Sequence, residues 1–253
     1  MEECTVSNFT EFHKYVTDVN LYYQESKPYS QDIINAIIFR GVHNVNHRLI
    51  PSIGRGIYTP HREMKSLLNF EDEIITRFKS EAAPFLDVKP INNWEWLALA
   101  QHYRLPTRLL DWTYNPLVAL YFALEKAPPT EEKDVIIQSA VYYLKFNYYV
   151  PYDEKKEPFD YDHAAVYRPS HTSSRIRAQM GVFTIQPDVT NTLDKSVFFD
   201  EPASFGKIIL DFPITERSHS RNILDKYGVN AATLFPDLEG LTKKIIWEST
   251  KGY

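Results

Sequence analysis

Residues 97–125, LALAQHYRLPTRLLDWTYNPLVALYFALE, hold a polar cluster between two apolar runs. The first run has the spacing of a helix face and ends at Gln101-His102, because Pro106 disfavours helical geometry in the residue before it. Residues 108–113 then predict a short strand. Asn115-Pro116 predicts the start of a second helix, with a capping side chain followed by a proline at the first helical position.

The second helix, predicted over residues 117–124, is apolar almost all round, which is typical of a helix inside the protein. The polar segment before it must therefore pass through the interior with His102, Arg108 and Asp111. One interpretation is structural: Arg108 and Asp111 pair with each other or with backbone groups, and His102 is a hydrogen-bonded core residue. The other is that the cluster forms a functional site, where perturbed ionisable groups concentrate.

The composition is that of an ordinary globular protein with a sizeable core. The 253 residues are 43% hydrophobic and carry a net charge of -5, which argues against attraction of the whole surface to nucleic acid or an anionic membrane. A local basic pocket is compatible with that charge. The single cysteine, Cys4, suits a reducing compartment, so we expect a cytoplasmic protein. No apolar run reaches the ~18 residues of a membrane helix, and we expect no membrane partner.

Outside the central stretch, helices and strands follow one another without regular alternation, which favours an α+β fold. Predicted helices cover residues 7–24, 60–83, 215–227 and 232–248, and predicted strands cover residues 33–39, 139–146, 181–189 and 207–212. Residues 170–180 predict a short capped helix or a turn. Arg40 directly follows the first strand, a usual place for a ligand-binding charge. In the helix predicted at residues 60–83, Glu71 is assigned to the solvated face.

A long loop is predicted over residues 147–169. It carries five tyrosines without a clear period: Tyr148, Tyr149, Tyr152, Tyr161 and Tyr167. Long loops in compact domains are more often functional than idle, and tyrosine offers a flat face for stacking. We therefore predict that this loop is a lid or an acceptor-recognition surface. The alternative is that the tyrosines only cover the edge of the core.

Standard catalytic signatures are absent from the sequence. It has no GxxxxGK phosphate loop, no GxGxxG, no HExxH, no paired CxxC and no GxSxG elbow. With one cysteine and eight scattered histidines, no metal site is predicted.

Several separate motifs nevertheless stand out: Phe39-Arg40-Gly41; Leu49-Ile50-Pro51-Ser52 with Arg55; residues 97–103, LALAQHY; residues 105–113, LPTRLLDWT; residues 119–123, ALYFA; residues 175–183, RIRAQMGVF; and residues 234–240, LFPDLEG. Together these motifs resemble the FRG domain, a family named after the first tripeptide. The resemblance predicts an FRG domain over residues 30–253, after an N-terminal helical extension over residues 1–29. The sequence departs from the family at Arg104, where glycine is common before Leu-Pro-Thr.

The FRG family is similar to ADP-ribosyltransferases, which implies an α+β fold with split, mixed or antiparallel sheets flanked by helices, and a cleft that binds NAD. In that cleft Arg40 would hold the NAD phosphates, a task that suits a planar, permanently charged guanidinium. The resemblance implies cofactor-binding roles for Arg40, Gln101, Thr107 and Arg175. It implies catalytic roles for His102, Arg108, Asp111, Gln179 and Glu239.

The late strand differs from the transferase pattern, because Gln179-Met180-Gly181 stands where many transferases end in a catalytic glutamate. Two interpretations stay open. Either Asp111, Asp237 or Glu239 supplies the missing carboxylate, or the site works with positive and amide groups alone.

The activity that the resemblance implies is transfer of ADP-ribose from NAD, used as a substrate, to a protein or RNA, without a metal. A toxin or phage-defence effector is suggested, with an antitoxin or regulatory protein as a further partner. The alternative is a non-catalytic module that binds a nucleotide or another phosphate in the same cleft. A plain interaction domain would explain the apolar helices but not the polar cluster.

Overall fold

The computed structural model describes residues 1–25, 36–58, 66–126, 136, 138–146, 149–150, 155–169, 174–198 and 204–250. Its strands are β1 (Glu2–Val6), β2 (Ala36–Val42), β3 (Leu110–Thr113), β4 (Ser139–Phe146), β5 (Ala165–Tyr167), β6 (Gly181–Ile185) and β7 (Ser204–Leu210). They form one sheet in the order β1-β7-β4-β2-β3-β6-β5. The β1–β7 pair is parallel and the other pairs are antiparallel.

The helices are α1 (Phe9–Glu25), α2 (Leu67–Ala82), α3 (Asn93–His102), α4 (Pro116–Leu124), α5 (Ser174–Ala178), α6 (Ile214–Lys226), α7 (Ala231–Leu234) and α8 (Leu238–Ser249). Capping follows the expected chemistry, since the side chains of Asn92 and Asn115 each accept a hydrogen bond from the first turn of the helix that follows. Gly228, with φ of 77°, ends α6. None of the helices in the described part of the chain has the length and hydrophobicity of a membrane span.

The predicted α+β class with flanking helices is confirmed, but the expectation of two split sheets is wrong. A single register pair, Phe39 opposite Thr113, joins the two halves of the seven-stranded sheet. Beyond that pair β2 and β3 diverge. The two halves are therefore one hydrogen-bonded sheet with a weak junction in its middle.

Three apolar clusters form the core. Against the β1-β7-β4-β2 half, Phe12 of α1, the buried residues of α4 and Leu224 of α6 cover one face of the sheet. Beside them, α2 and α3 cover the β6-β5 half, with Trp94 and Leu97 against Phe183. The third cluster includes alternate residues of β2, β3 and β6 together with Leu49 and Leu193 from loops. The helices thus form two layers that meet above the junction of β2 and β3.

The contact of α4 with β2 depends on Gly41. A Cβ atom at this position would lie 1.9 Å from the carbonyl oxygen of Ala119 and 2.7 Å from the backbone nitrogen of Ala123. Only glycine allows two backbones to approach this closely. The apolar helix is buried as predicted, with Ala119 and Leu120 fully inaccessible.

Several boundaries differ from the sequence prediction. The first strand continues through Arg40 to Val42, so Arg40 lies within a strand and not after it; residues 33–35 lie outside the described residues. Strand β1 was not predicted, and it adds the N-terminal residues to the same sheet. The helix predicted over residues 232–248 is two helices, because Pro236 interrupts it and Asp237 caps the second. The boundary predicted at residue 29 also lies outside the described residues.

In the tyrosine-rich segment, the described residues 149–150 and 155–169 do not form a lid. Tyr161 and Tyr167 are buried, and their rings pack around Trp94 at centroid distances of 5.1 and 4.8 Å. Tyr149 bonds the hydroxyl of Tyr114 at 2.9 Å. For these three side chains the alternative, cover for the core, is confirmed. Tyr148 and Tyr152 lie outside the described residues.

Substitution Gly41→Ala tests the close packing of α4. Because the atoms that a Cβ would meet are backbone atoms, α4 must move away from β2. We expect a loss of unfolding free energy at or above the ~1–3 kcal/mol typical of overpacking, measured by chemical denaturation. Gly56→Ala is the control, since a Cβ there meets no atom within 4 Å and only the positive φ of 72° opposes it. Equal losses in the two variants would contradict the packing argument.

Candidate functional site

A cleft of about 470 Å³ lies above the junction of β2 and β3. Its walls come from β2, β3 and the start of β6, from the C-terminal ends of α3 and α4, and from α5. The volume is within the range of small-molecule sites, which hold a drug-sized ligand. The cleft therefore forms where the sheet pairing is weakest and the two helical layers part.

Most of the side chains predicted for a site do line this cleft: Arg40, Gln101, His102, Asp111, Arg175 and Gln179. Thr107, Arg108 and Glu239 do not. The sequence thus brings together residues from β2, α3, β3 and α5 that are up to 139 positions apart, counted from Arg40 to Gln179.

Arg40 and Asp111 form the centre of the site. The guanidinium of Arg40 reaches across the junction and donates to the carbonyl oxygen of Asp111 at 2.5 Å, with the Asp111 carboxylate 3.6 Å away. Gln101 Nε2 donates to the same carboxylate at 2.9 Å. Thr107, which is fully buried, donates to Gln101 Oε1 at 2.6 Å. Thr107 therefore orients Gln101 and is not accessible to a ligand, which corrects its predicted role in cofactor binding.

Arg108 is a structural residue, and its predicted place in the site is wrong. Its side chain points away from the cleft and is 2% exposed. The guanidinium contacts Glu71 Oε2 through Nε at 2.9 Å and through Nη2 at 2.7 Å, while its backbone N–H donates to the other oxygen of Glu71 at 2.8 Å. Glu71, assigned to a solvated face, is fully buried. This pair joins α2 to the segment before β3.

Two of the three carboxylates proposed for catalysis are also used elsewhere. Asp237 accepts from the backbone N–H of Gly240 at 2.8 Å and caps α8. Glu239 does not line the cleft, since it is paired with Lys243 at 2.9 Å and lies 3.7 Å from Arg104. Of the three, Asp111 alone lies in the cleft, where its side chain is 60% exposed.

Gln179 lies in the cleft wall, where its side-chain nitrogen and its backbone carbonyl both form hydrogen bonds. Its side-chain nitrogen donates to the carbonyl of Leu234 at 3.1 Å, and its backbone carbonyl accepts from the hydroxyl of Thr113 at 2.7 Å. These bonds fix the segment before β6 against β3 and α7. Gln179 therefore shapes the wall, and no carboxylate takes the place of Gly181.

The charge of the cleft is opposite to that of the chain. Arg40, Arg55, Arg104 and Arg175 line it together with two carboxylates, Asp111 and Glu125. Arginines therefore outnumber carboxylates here, although the whole chain carries a net charge of -5. Sequence reasoning missed Arg104 and Glu125 as site residues. Arg55 stood in a motif without a role, and nothing in the sequence pattern around Glu125 distinguishes it from a solvated helix end.

Burial and mutual repulsion act on the positive groups. Burial lowers the pKa of Arg40; the charge of Asp111 opposes this decrease, and the charge of Arg55 adds to it. Burial also lowers the pKa of His102, and the charge of Arg175 adds to this effect. The pKa values of His43 and His47, whose rings lie 4.5 Å apart near the end of β2, are lowered mainly by burial, and Lys126 contributes. Such a surplus of positive charge favours an anionic ligand.

The structural assignment of Arg108 predicts a stability effect. Arg108→Ala leaves the buried charge of Glu71 without its partner, so we expect a loss of ~3–5 kcal/mol in the unfolding free energy from urea denaturation. Arg77→Ala removes an exposed pair with Glu81 on the same helix as Glu71 and should leave the midpoint almost unchanged. If Arg108→Ala were as stable as the Arg77 variant, the buried pair would not hold α2.

Comparison with known proteins gives one match. The FRG domain family matches residues 35–132, which include β2, α2, α3, β3 and α4. No curated protein and no solved structure shows a significant match to the chain. The matched segment supplies Arg40, Gln101, His102 and Asp111, whereas Arg175 and Gln179 follow it. The match covers the motifs around Arg40 and Asp111, so residues 35–132 of the chain are similar to the FRG domain family.

Proposed function

We propose that the cleft binds NAD and that the protein transfers ADP-ribose from NAD to a macromolecule. The observation that supports this most is the position of Arg40 beside Asp111, which puts a phosphate-binding cation next to an exposed carboxylate. NAD needs both charges. Its diphosphate is anionic and its nicotinamide ring is cationic. As the glycosidic bond breaks, the positive charge moves from the nicotinamide ring to the ribose.

Arg40 and Arg55 are the groups that we assign to the diphosphate. Arg40 is 16% exposed and held on a strand, so little conformational entropy is lost when a ligand binds it. Arg55 is anchored through a bond from its Nε to the carbonyl of Ile50 at 2.9 Å, which leaves its terminal nitrogens as donors. A guanidinium binds phosphate oxygens in pairs, and two guanidiniums match the charge of a diphosphate.

Asp111 is the carboxylate that we assign to the nicotinamide ribose. In the proposed step the bond between C1′ of the ribose and the nicotinamide nitrogen breaks, and its electron pair leaves with neutral nicotinamide. The carboxylate stabilises the oxocarbenium-like ribose that forms. A nucleophile of the acceptor then bonds to C1′ and loses its proton. Burial lowers the pKa of His102, which favours the neutral imidazole, and we assign the acceptance of that proton to His102.

A non-catalytic module for a nucleotide or phosphate is the second candidate. The observation in its favour is that Asp111 already bonds Gln101 and lies close to Arg40, as a purely structural carboxylate would. Both candidates require binding of an anion at Arg40. They differ in turnover, so release of nicotinamide from NAD distinguishes them.

A toxin or phage-defence role belongs to the same proposal, because it depends on the transfer activity. Modification of a macromolecule in the producing cell would then require a regulatory or antitoxin protein. Such a partner could act by covering the mouth of the cleft.

The test of catalysis is Asp111→Asn, which keeps the shape of the side chain and an acceptor for Gln101 but removes the charge. We expect nicotinamide release to fall by at least ~100-fold while the protein still unfolds cooperatively. Asp237→Asn and Glu239→Gln are matched controls on carboxylates outside the cleft, and both should keep at least half of the wild-type rate. A fully active Asp111→Asn would refute this role, and no release by the wild type would leave the binding module.

A further inference from the structure

Arg104 occupies a backbone position that does not suit an arginine. It follows the C-terminal cap of α3, where Leu105 N–H bonds the carbonyl of Ala100 and Arg104 N–H bonds the carbonyl of Gln101, each at 3.0 Å. This pattern is a Schellman motif, whose left-handed residue is usually glycine. Arg104 has φ of 64°, in the left-handed region that a residue with a side chain rarely adopts. The turn itself gives no reason for an arginine.

The side chain of Arg104 lies at the mouth of the cleft and is 72% exposed. Arg175 lies in the same part of the cleft, with its guanidinium 4.4 Å from the centre of the Phe235 ring. The two arginines are close enough that Arg104 lowers the pKa of Arg175, an effect second only to burial. They come from the turn after α3 and from α5, which leads into β6, whereas Arg40 is on β2. Since β3 lies between β2 and β6, the segment that carries Arg175 reaches the cleft from the side of β3 opposite to β2 and Arg40.

The acidic groups near Arg104 and Arg175 have other partners. Asp237 caps α8 through the N–H of Gly240, and Glu239 bonds Lys243 at 2.9 Å. The contact of Arg104 with Glu239, at 3.7 Å, joins two exposed side chains, and such pairs contribute little. Arg104 can therefore exchange Glu239 for a more strongly bound anion.

An aromatic surface adjoins these charges. Tyr103, directly before Arg104, is 63% exposed, and the edge of its ring meets His102 at a centroid distance of 4.9 Å. Exposed aromatic rings beside basic side chains form the usual platform for single-stranded nucleic acid, with bases on the rings and phosphates on the cations.

We infer that His102, Tyr103, Arg104 and Arg175 form a second anion subsite, which binds a phosphate and a base of single-stranded nucleic acid, and that this nucleic acid is the acceptor of ADP-ribose. The inference rests on the proposed function for its chemical step. NAD would occupy the side of Asp111 that carries Arg40 and Arg55. The acceptor would occupy the opposite side, so that its nucleophile meets C1′ beside Asp111 and His102.

Binding is tested without NAD, by fluorescence anisotropy of a labelled oligouridine of about ten nucleotides over a series of salt concentrations. Loss of one phosphate contact should weaken binding about tenfold or more and should make the slope of log K against log salt shallower by ~0.7. We expect both effects for Arg104→Gly and for Arg175→Ala. Because glycine suits the left-handed turn, Arg104→Gly should melt at or above the wild-type temperature while it loses affinity.

Two variants serve as matched controls. Arg177→Ala removes an exposed arginine of α5 that does not line the cleft. Met180→Gly relieves the second left-handed non-glycine residue in the described part of the chain, with φ of 47°, without a change of charge. Both should bind the oligonucleotide as the wild type does. An oligodeoxyuridine of the same length shows whether the 2′-hydroxyl is needed; equal binding assigns the subsite to the phosphate and base shared by RNA and DNA.

The acceptor is tested with adenylate-labelled NAD, the oligonucleotide and total cell protein in one reaction. Label on the oligonucleotide, lost in Arg104→Gly, supports the inference. Label on protein, or wild-type binding of the oligonucleotide by Arg104→Gly, overturns it while the proposed transfer activity stands. Absence of nicotinamide release from the wild type, by contrast, overturns the proposed function itself and with it the assignment of an acceptor.

Discussion

The close contact between α4 and Gly41 is the constraint on which the site depends. Because the helix backbone rests on β2 itself, the strand is fixed at the edge of one helical layer. Phe39, on one side of Arg40, is buried beneath that layer, and Gly41, on the other side, touches α4. Arg40 is thereby held at the point where β2 and β3 diverge, and its guanidinium takes the place of the missing strand pairing by bonding the carbonyl of Asp111. Three consecutive residues thus have three separate tasks.

The same arrangement explains why charge collects in the cleft. A weak junction in the sheet leaves backbone groups that need hydrogen-bond partners and space that side chains must occupy. Arg40, Asp111 and Gln101 occupy this space and form a connected hydrogen-bond network. Buried Thr107 orients this network from behind. The buried pair of Arg108 and Glu71 supports it from α2, although neither residue reaches the cleft. A candidate functional site and a structural ion pair therefore lie side by side in one short segment of sequence.

Local signals predicted much of this. Asn115-Pro116 marked the start of α4, Pro106 and the helix face marked the end of α3, and the apolar run of α4 predicted its burial, since each depends on neighbours in sequence. Pairing between distant residues was not predictable. Glu71 follows a helical pattern of solvated charges, and only the fold brings it to Arg108, 37 positions away. The single sheet was not predictable for the same reason, because one register pair between β2 and β3 gives no recognisable pattern in the sequence of either strand.

Calorimetric titration of NAD into the folded protein tests the proposed binding of the NAD diphosphate by Arg40. We expect Arg40→Ala to weaken binding by ~1.5–3 kcal/mol, the range for hydrogen bonds to a charged group. Arg177→Ala, on α5 and outside the cleft, should bind NAD with unchanged affinity. An Arg40→Ala protein that is less stable but binds NAD as tightly as the wild type would show that Arg40 only joins β2 to β3 and does not bind the diphosphate.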